Sequence, residues 1–122
     1  MSESLQTLIV EAFGDFTDVS AEALDSARAD KSGHSSSTPP LAVVSPRTVE
    51  EVQNVVRFAA RHSLPIVPRG GGSGLAGGSI ATEGEIVLST ASLNKILEIS
   101  PADRLATVEA GVINSDLNDE AK

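Results

Sequence analysis

Between Ile66 and Ile80 the chain reads Ile-Val-Pro-Arg-Gly-Gly-Gly-Ser-Gly-Leu-Ala-Gly-Gly-Ser-Ile, and six of its ten glycines fall in the nine residues from Gly70 to Gly78. Without a Cβ, neighbouring glycines can turn their amide N–H groups inward at backbone angles other residues avoid. The product is a concave nest of donors suited to phosphate oxygens. Arg69 places a cation at its mouth. A flexible linker would be uniformly polar and Gly/Ser-rich, whereas this stretch is bracketed by strand-like residues and interrupted by Leu75 and Ala76. The chemistry expected here is anion binding through the backbone amides of Gly70 to Gly78.

Two common anion cradles do not fit. A P-loop needs G-x-x-x-x-G-K-[ST], and Gly72 to Gly77 has the glycine spacing but is followed by Gly78-Ser79 with no lysine. The dinucleotide pattern G-x-G-x-x-G fits Gly72 to Gly77, but it requires a helix directly after the glycines and an acid about 20 residues on. Here Ser79 to Gly84 reads as a turn leading into another strand, Glu85-Ile86-Val87-Leu88-Ser89.

Other reactive groups are sparse. His34 lies in a polar loop and His62 at a helix end, where the dipole alone favours an imidazole. Both are read as structural or surface groups. The adjacent acids Glu50-Glu51 and Asp119-Glu120 diverge on a helix and are read as capping or solvated groups. No Ser-His-Asp or metal-ligand spacing exists, and with no cysteine there is no thiolate nucleophile, thiolate metal site or disulfide framework.

The elements that must position the glycine loop follow from periodicity. Leu5, Leu8, Ile9, Ala12 and Phe13 recur at helical spacing before Gly14, which predicts an amphipathic helix over 3–13. Ser20 is expected to cap a short helix running to Arg28, and residues 30–40 have turn-former composition. Leu41 to Val44 predicts a buried strand. Thr48 with Glu51 forms a capping box ahead of the stripe Val52, Val55, Val56 and Ala59, a helix expected to reach about His62. Strand, helix and strand over 41–68 make a βαβ unit, hence a parallel pair. Lys95–Ser100 and Leu105–Ala110 flank Pro-Ala-Asp-Arg and predict a hairpin with a four-residue loop. Asn114 is expected to cap a last helix with Leu117 and Ala121 on one face.

Pro65 to Gly78 closely resembles the flavin pyrophosphate loop of FAD-linked oxidases of the vanillyl-alcohol oxidase type. Ala42 to Val52 upstream resembles the strand, proline and helix that open their FAD domain. Ile86-Val87-Leu88-Ser89, Leu93 to Ile99, Ala106 to Val112 and Asn114 to Leu117 are most similar to the D-lactate dehydrogenase and glycolate oxidase FAD-subunit branch. The resemblance covers about residues 38–122. It implies an α+β fold: the N-terminal half of a p-cresol methylhydroxylase (PCMH)-type FAD-binding domain over 38–122, with 1–37 as a helical lead-in and loop. It implies FAD held by Pro68, Arg69, Gly70, Gly71, Gly72, Ser73, Gly74, Leu75, Gly77, Gly78 and Ser79. Where some of these oxidases link the flavin covalently to a histidine, this chain has Ser73, so non-covalent FAD is expected. The implied activity is that of an FAD-linked oxidase or dehydrogenase acting on a D-2-hydroxy acid, hydride passing from substrate carbon to flavin.

Composition bounds this reading. A chain of 122 residues with net charge −8 fits one domain and argues against nucleic acid, which favours a basic face. No membrane span or signal peptide is legible, so a soluble cytoplasmic protein is expected. Residues 31–70 carry five bases and two acids, and this positive stretch leads into the glycine loop. The chain stops about two turns into its last helix, short for an isolated helix. It is therefore read as an N-terminal piece of a longer enzyme, inactive alone. The alternatives are a non-catalytic flavin or nucleotide module, or a piece that pairs with a separately encoded C-terminal half.

Overall fold

The structure is a computed structural model that describes residues 2–71, 78 and 80–122, with side chains in the first helix described from Leu5 onward. The elements run α1 (Ser2–Phe13), a 3-10 turn (Gly14–Phe16), β1 (Thr17–Asp18), α2 (Ala21–Ser26), β2 (Ala42–Val44) and α3 (Val49–Arg61). They continue with β3 (Ile66–Arg69), β4 (Ile86–Ser89), β5 (Ile96–Ser100), β6 (Leu105–Val108) and α4 (Asn114–Ala121).

One sheet has the order β1-β2-β4-β3, with β1 antiparallel to β2 and the other three parallel. Helix α3 thus joins two parallel strands as the βαβ pattern predicts, but β2 and β3 are not neighbours. Strand β4 lies between them, pairing Ala42 and Ile66 with Ile86 and Val43 and Val67 with Val87. The reason is hydrophobicity: Ile86-Val87-Leu88 is a continuous apolar run, which suits a strand covered on both faces, and all three residues are buried. Pro68, which cannot donate to a ladder, sits on the edge strand β3, where proline is tolerated.

Side-chain alternation sorts the core into two layers. Ile86 and Leu88 join Ala42 and Val44 under Ile9 and Phe13 of α1 and Val55 and Ala59 of α3. Val87 faces the opposite way, packing with Val43, Val67, Ala27 and Ala81. The N-terminal lead-in therefore belongs to the same core as the sheet. Phe13 packs edge-on to Phe58 with centroids 5.3 Å apart, and Phe58 is 4.4 Å from the His62 ring, which places that histidine in a packing role. His34 is exposed.

The helix ends show how local chemistry sets these elements. The Asp18 carboxylate accepts the Ser20 N–H at 2.8 Å, which holds its pKa below the usual range, and the Ser20 hydroxyl accepts the Ala23 N–H at 3.2 Å. At α3 the Thr48 hydroxyl accepts the Glu51 N–H at 3.1 Å. The expected reciprocal bond is shifted by one residue: the Glu51 carboxylate accepts from the Arg47 N–H at 2.8 Å and from its guanidinium at 2.6 and 3.0 Å. These bonds lower the Glu51 pKa and raise that of Arg47. A depressed carboxylate contributes stability that is present above its unfolded pKa and lost as pH falls through the folded one. Glu51→Gln is thus expected to unfold at lower urea than the parent at about pH 7, with the gap closing as pH falls through the lowered pKa of Glu51. A gap that persists in acid would show that the pair contributes packing rather than charge.

Strands β5 and β6 form a separate two-stranded sheet closed by the expected four-residue turn, Ser100 pairing with Leu105 and Arg104 at φ 57°. At α4 the expectation fails in detail. Asn114 is the first helical residue, not the cap; Ile113 occupies the cap position and no side chain caps the end. Apolar Leu117 and Ala121 nevertheless share one side, facing Ile99, Leu105 and Ala106 across a cleft.

Candidate anion and cofactor site

Because β3 and β4 are parallel, both chains leave the sheet on the same edge, and the crevice outside the carboxyl ends of parallel strands is where ligands of such sheets bind. Gly70 and Gly71 leave β3 there and Thr90 and Ala91 leave β4. The two exits are tied by the Thr90 N–H donating to the Arg69 carbonyl at 3.0 Å. The chain then folds back: the Leu93 N–H donates to Thr90 O at 2.9 Å and the Gly111 N–H to Leu93 O at 2.7 Å, bringing the end of β6 and the start of α4 to the same edge. The Lys95 N–H donates to the Glu109 carboxylate at 2.9 Å and fixes the hairpin base.

These segments enclose a cavity of about 370 Å³ lined by Gly70, Gly71, Thr90, Ala91, Asn94, Ile96, Ala110, Gly111, Val112, Ile113 and Asp116. That is in the size range of small-molecule sites. Among the sequence-predicted residues, Gly70 and Gly71 line it. Pro68 is paired with Leu88 in the sheet, and Arg69 directs Nη2 to the Ser26 carbonyl at 3.3 Å. Gly78 is exposed. Gly72, Ser73, Gly74, Leu75, Gly77 and Ser79 lie outside the described residues.

The glycines divide into two kinds. A Cβ at Gly111 would collide with the Thr90 carbonyl oxygen and lie 2.7 Å from its carbon and 2.8 Å from Leu93 O. This glycine is required by packing. At Gly70 and Gly78 a Cβ would meet nothing within 4 Å, and neither has a positive φ. Nothing in the described chain requires glycine there, and without a Cβ the backbone at these positions is open to close approach by a ligand. The residues present thus fit a phosphate-bearing group.

Asp116 is the cavity's one charged lining residue among those described. Arg47 is paired with Glu51, and Arg57 and Arg61 are exposed on α3. Thr90, Asn94, Gly111 and Asp116 were not identified as site residues from sequence. A glycine directly after a strand, at Gly111, was the one legible signal of a close backbone approach.

The FAD binding domain family matches residues 40–122 of this chain. The chain is 51% identical over 73 residues to a D-2-hydroxyglutarate dehydrogenase of Xanthomonas citri pv. viticola, covering 60% of this chain and 16% of that protein. It is 44% identical over 78 residues to the glycolate oxidase subunit GlcD of Bacillus subtilis, covering 64% and 17%. It is 42% identical over 93 residues to a D-lactate dehydrogenase of Archaeoglobus fulgidus, covering 69% and 21%. The chain thus spans about a fifth or less of the curated relatives it matches here. Among solved structures, p-cresol methylhydroxylase superposes with TM-score 0.78 at 26% identity, covering 98% of this chain and 24% of that one. Alkyldihydroxyacetonephosphate synthase superposes with TM-score 0.81 at 21% identity over 98% and 24%, a likeness of fold alone. The resemblance drawn from the glycine loop and its flanking segments, and the α+β PCMH-type fold it implied, are borne out.

Proposed function

This chain belongs to the FAD binding domain family, and on that premise we propose that it is the FAD-binding portion of a flavin-dependent oxidoreductase acting on a D-2-hydroxy acid of the lactate or glycolate type. The observation that carries the proposal is the cavity at the carboxyl ends of β3 and β4, lined by Gly70, a glycine that packing does not require. The substrate class rests on the names of the relatives.

In this reading Pro68, Arg69, Gly70, Gly71, Gly72, Ser73, Gly74, Leu75, Gly77, Gly78 and Ser79 hold the pyrophosphate, mainly through backbone N–H groups. Residues 38–122 form the cofactor-binding part and 1–37 its lead-in. Bound FAD supplies hydride acceptance, chemistry that side chains lack. Thr90 and Asn94 offer polar contacts within the cavity, and Ile96, Val112 and Ile113 exclude water from it. Ser73 has no ring nitrogen for a flavin link, so FAD is held non-covalently. No described helix is long and apolar enough to cross a membrane, and we place the protein in the cytoplasm. The exposed apolar residues Leu97, Leu105 and Ile113 suit burial by a complementary C-terminal half.

FAD titration followed by acid precipitation tests this. The chain is expected to quench flavin fluorescence on binding and to release all flavin to the supernatant in acid. Flavin left on the precipitate would overturn non-covalent binding, and no binding at all would overturn the site. Among the described lining residues no cation is present to seat a substrate carboxylate. Dye reduction with D-lactate, glycolate or D-2-hydroxyglutarate is therefore expected to stay at the free-flavin background with this chain alone.

A further inference from the structure

Both ends of the glycine loop rest on one segment of the lead-in. On the entering side, Arg69 Nη2 donates to the Ser26 carbonyl at the end of α2, 3.3 Å away. On the leaving side, the Ala81 N–H donates to the Ala27 carbonyl at 3.0 Å, one residue further on. The Ser36 hydroxyl donates to the Ala81 carbonyl at 2.6 Å, with the Thr38 carbonyl at 3.0 Å. Thr38 continues the contact: its hydroxyl lies 2.8 Å from that of Thr82 and accepts the Glu83 N–H at 3.2 Å.

The 26–38 segment is itself closed on its own backbone. The Ser36 N–H donates to Arg28 O at 2.9 Å, and Arg28 Nε returns to Ser36 O at 3.0 Å. Ala27 and Ala81 are both buried against Val87 of the central strand. The bracket is thus anchored to the sheet rather than merely laid over it.

We propose that residues 26–38 form a bracket that fixes the spacing of the two ends of the glycine loop, with Ser36 and Thr38 as positioning residues that set flavin affinity without touching the ligand. Binding through backbone donors depends on their being held in place before the ligand arrives, since ordering them on binding costs affinity. The two ends are tied to adjacent carbonyls, Arg69 to Ser26 through its side chain and Ala81 to Ala27 through its backbone N–H, so one turn of the lead-in holds both. Deleting the Ser36 hydroxyl leaves the carbonyl of fully buried Ala81 without its side-chain donor. This inference rests on the loop being the flavin site, but its first test does not.

Amide hydrogen exchange of the 122-residue chain without flavin is compared for the parent, Ser36→Ala, Thr38→Val and Ser36→Thr. Exchange at Gly78, Ile80 and Ala81 is expected to quicken in the first two variants, while β2 and the α3 core keep parental protection. Ser36→Thr, which retains the hydroxyl, is expected to stay near the parent. Unchanged exchange at the loop end, or uniform quickening across the fold, would overturn the bracket whether or not the chain binds flavin. In FAD titrations Ser36→Ala is expected to bind roughly tenfold more weakly. Parental affinity in a variant whose loop end exchanges faster would overturn the link to binding. A parent that binds no FAD would overturn that link together with the flavin reading and leave the bracket to the exchange result.

Discussion

Gly111→Ala is expected to cost about 3 kcal/mol, at the upper end of ordinary overpacking, because its new methyl has no direction in which to yield. The obstacle is the Thr90 carbonyl, with Leu93 O also only 2.8 Å from the new methyl. Both carbonyls belong to the turn that leaves the central strand. Thr90 O accepts the Leu93 N–H, and Leu93 O accepts the Gly111 N–H itself. Relief therefore requires breaking the 2.7 Å bond that holds the β5–β6 hairpin against the sheet. Urea unfolding and amide exchange at Glu109 and Gly111 would read this as a lower midpoint and lost protection at the hairpin base. Parental values for both would show that the close approach is not needed. Flavin affinity should fall with it, since the hairpin end supplies one wall of the cavity.

Gly70→Val should do the reverse. Its Cβ meets no atom of the described chain within 4 Å and its φ is not positive. Stability is expected to stay within about 0.5 kcal/mol of the parent, as for most surface substitutions. Affinity for FAD should nonetheless fall at least ~100-fold, about 2.7 kcal/mol, because a branched side chain then stands on a wall where backbone must meet phosphate. Equal FAD affinity in a folded Gly70→Val chain would remove the glycine loop from the binding site. A large loss of stability would instead mean that Gly70 serves packing, as Gly111 does. Together the two variants separate a glycine that the fold needs from a glycine that the ligand needs.

Much was legible in the sequence because it is written in short-range chemistry. The stripe Val52, Val55, Val56 and Ala59 behind Thr48 specifies α3, since helical periodicity and a capping hydroxyl act within a few residues. The apolar run Ile86-Val87-Leu88 marks a strand covered on both faces, and the turn over Pro101 to Arg104 marks a hairpin. The order of the glycine-dense stretch from Gly70 to Gly78 with its flanking segments indicates the family.

What only the tertiary structure decides is long-range. Sequence makes β2 and β3 a parallel pair; which strand lies between them depends on which one can be buried on both sides, a comparison across the sheet rather than along the chain. Arg69, at the end of the edge strand, also reaches the Ser26 carbonyl, because α2 ends beside that strand. Three of the basic residues of 31–70 are placed elsewhere by packing: α3 turns Arg57 and Arg61 to solvent while Arg47 closes on Glu51. Gly111 and Asp116 reach the cavity only because the chain folds back through the β5–β6 hairpin after β4, and no local pattern encodes that return. Local periodicity specifies the elements of this protein, and non-local packing specifies which of their ends meet to make a site.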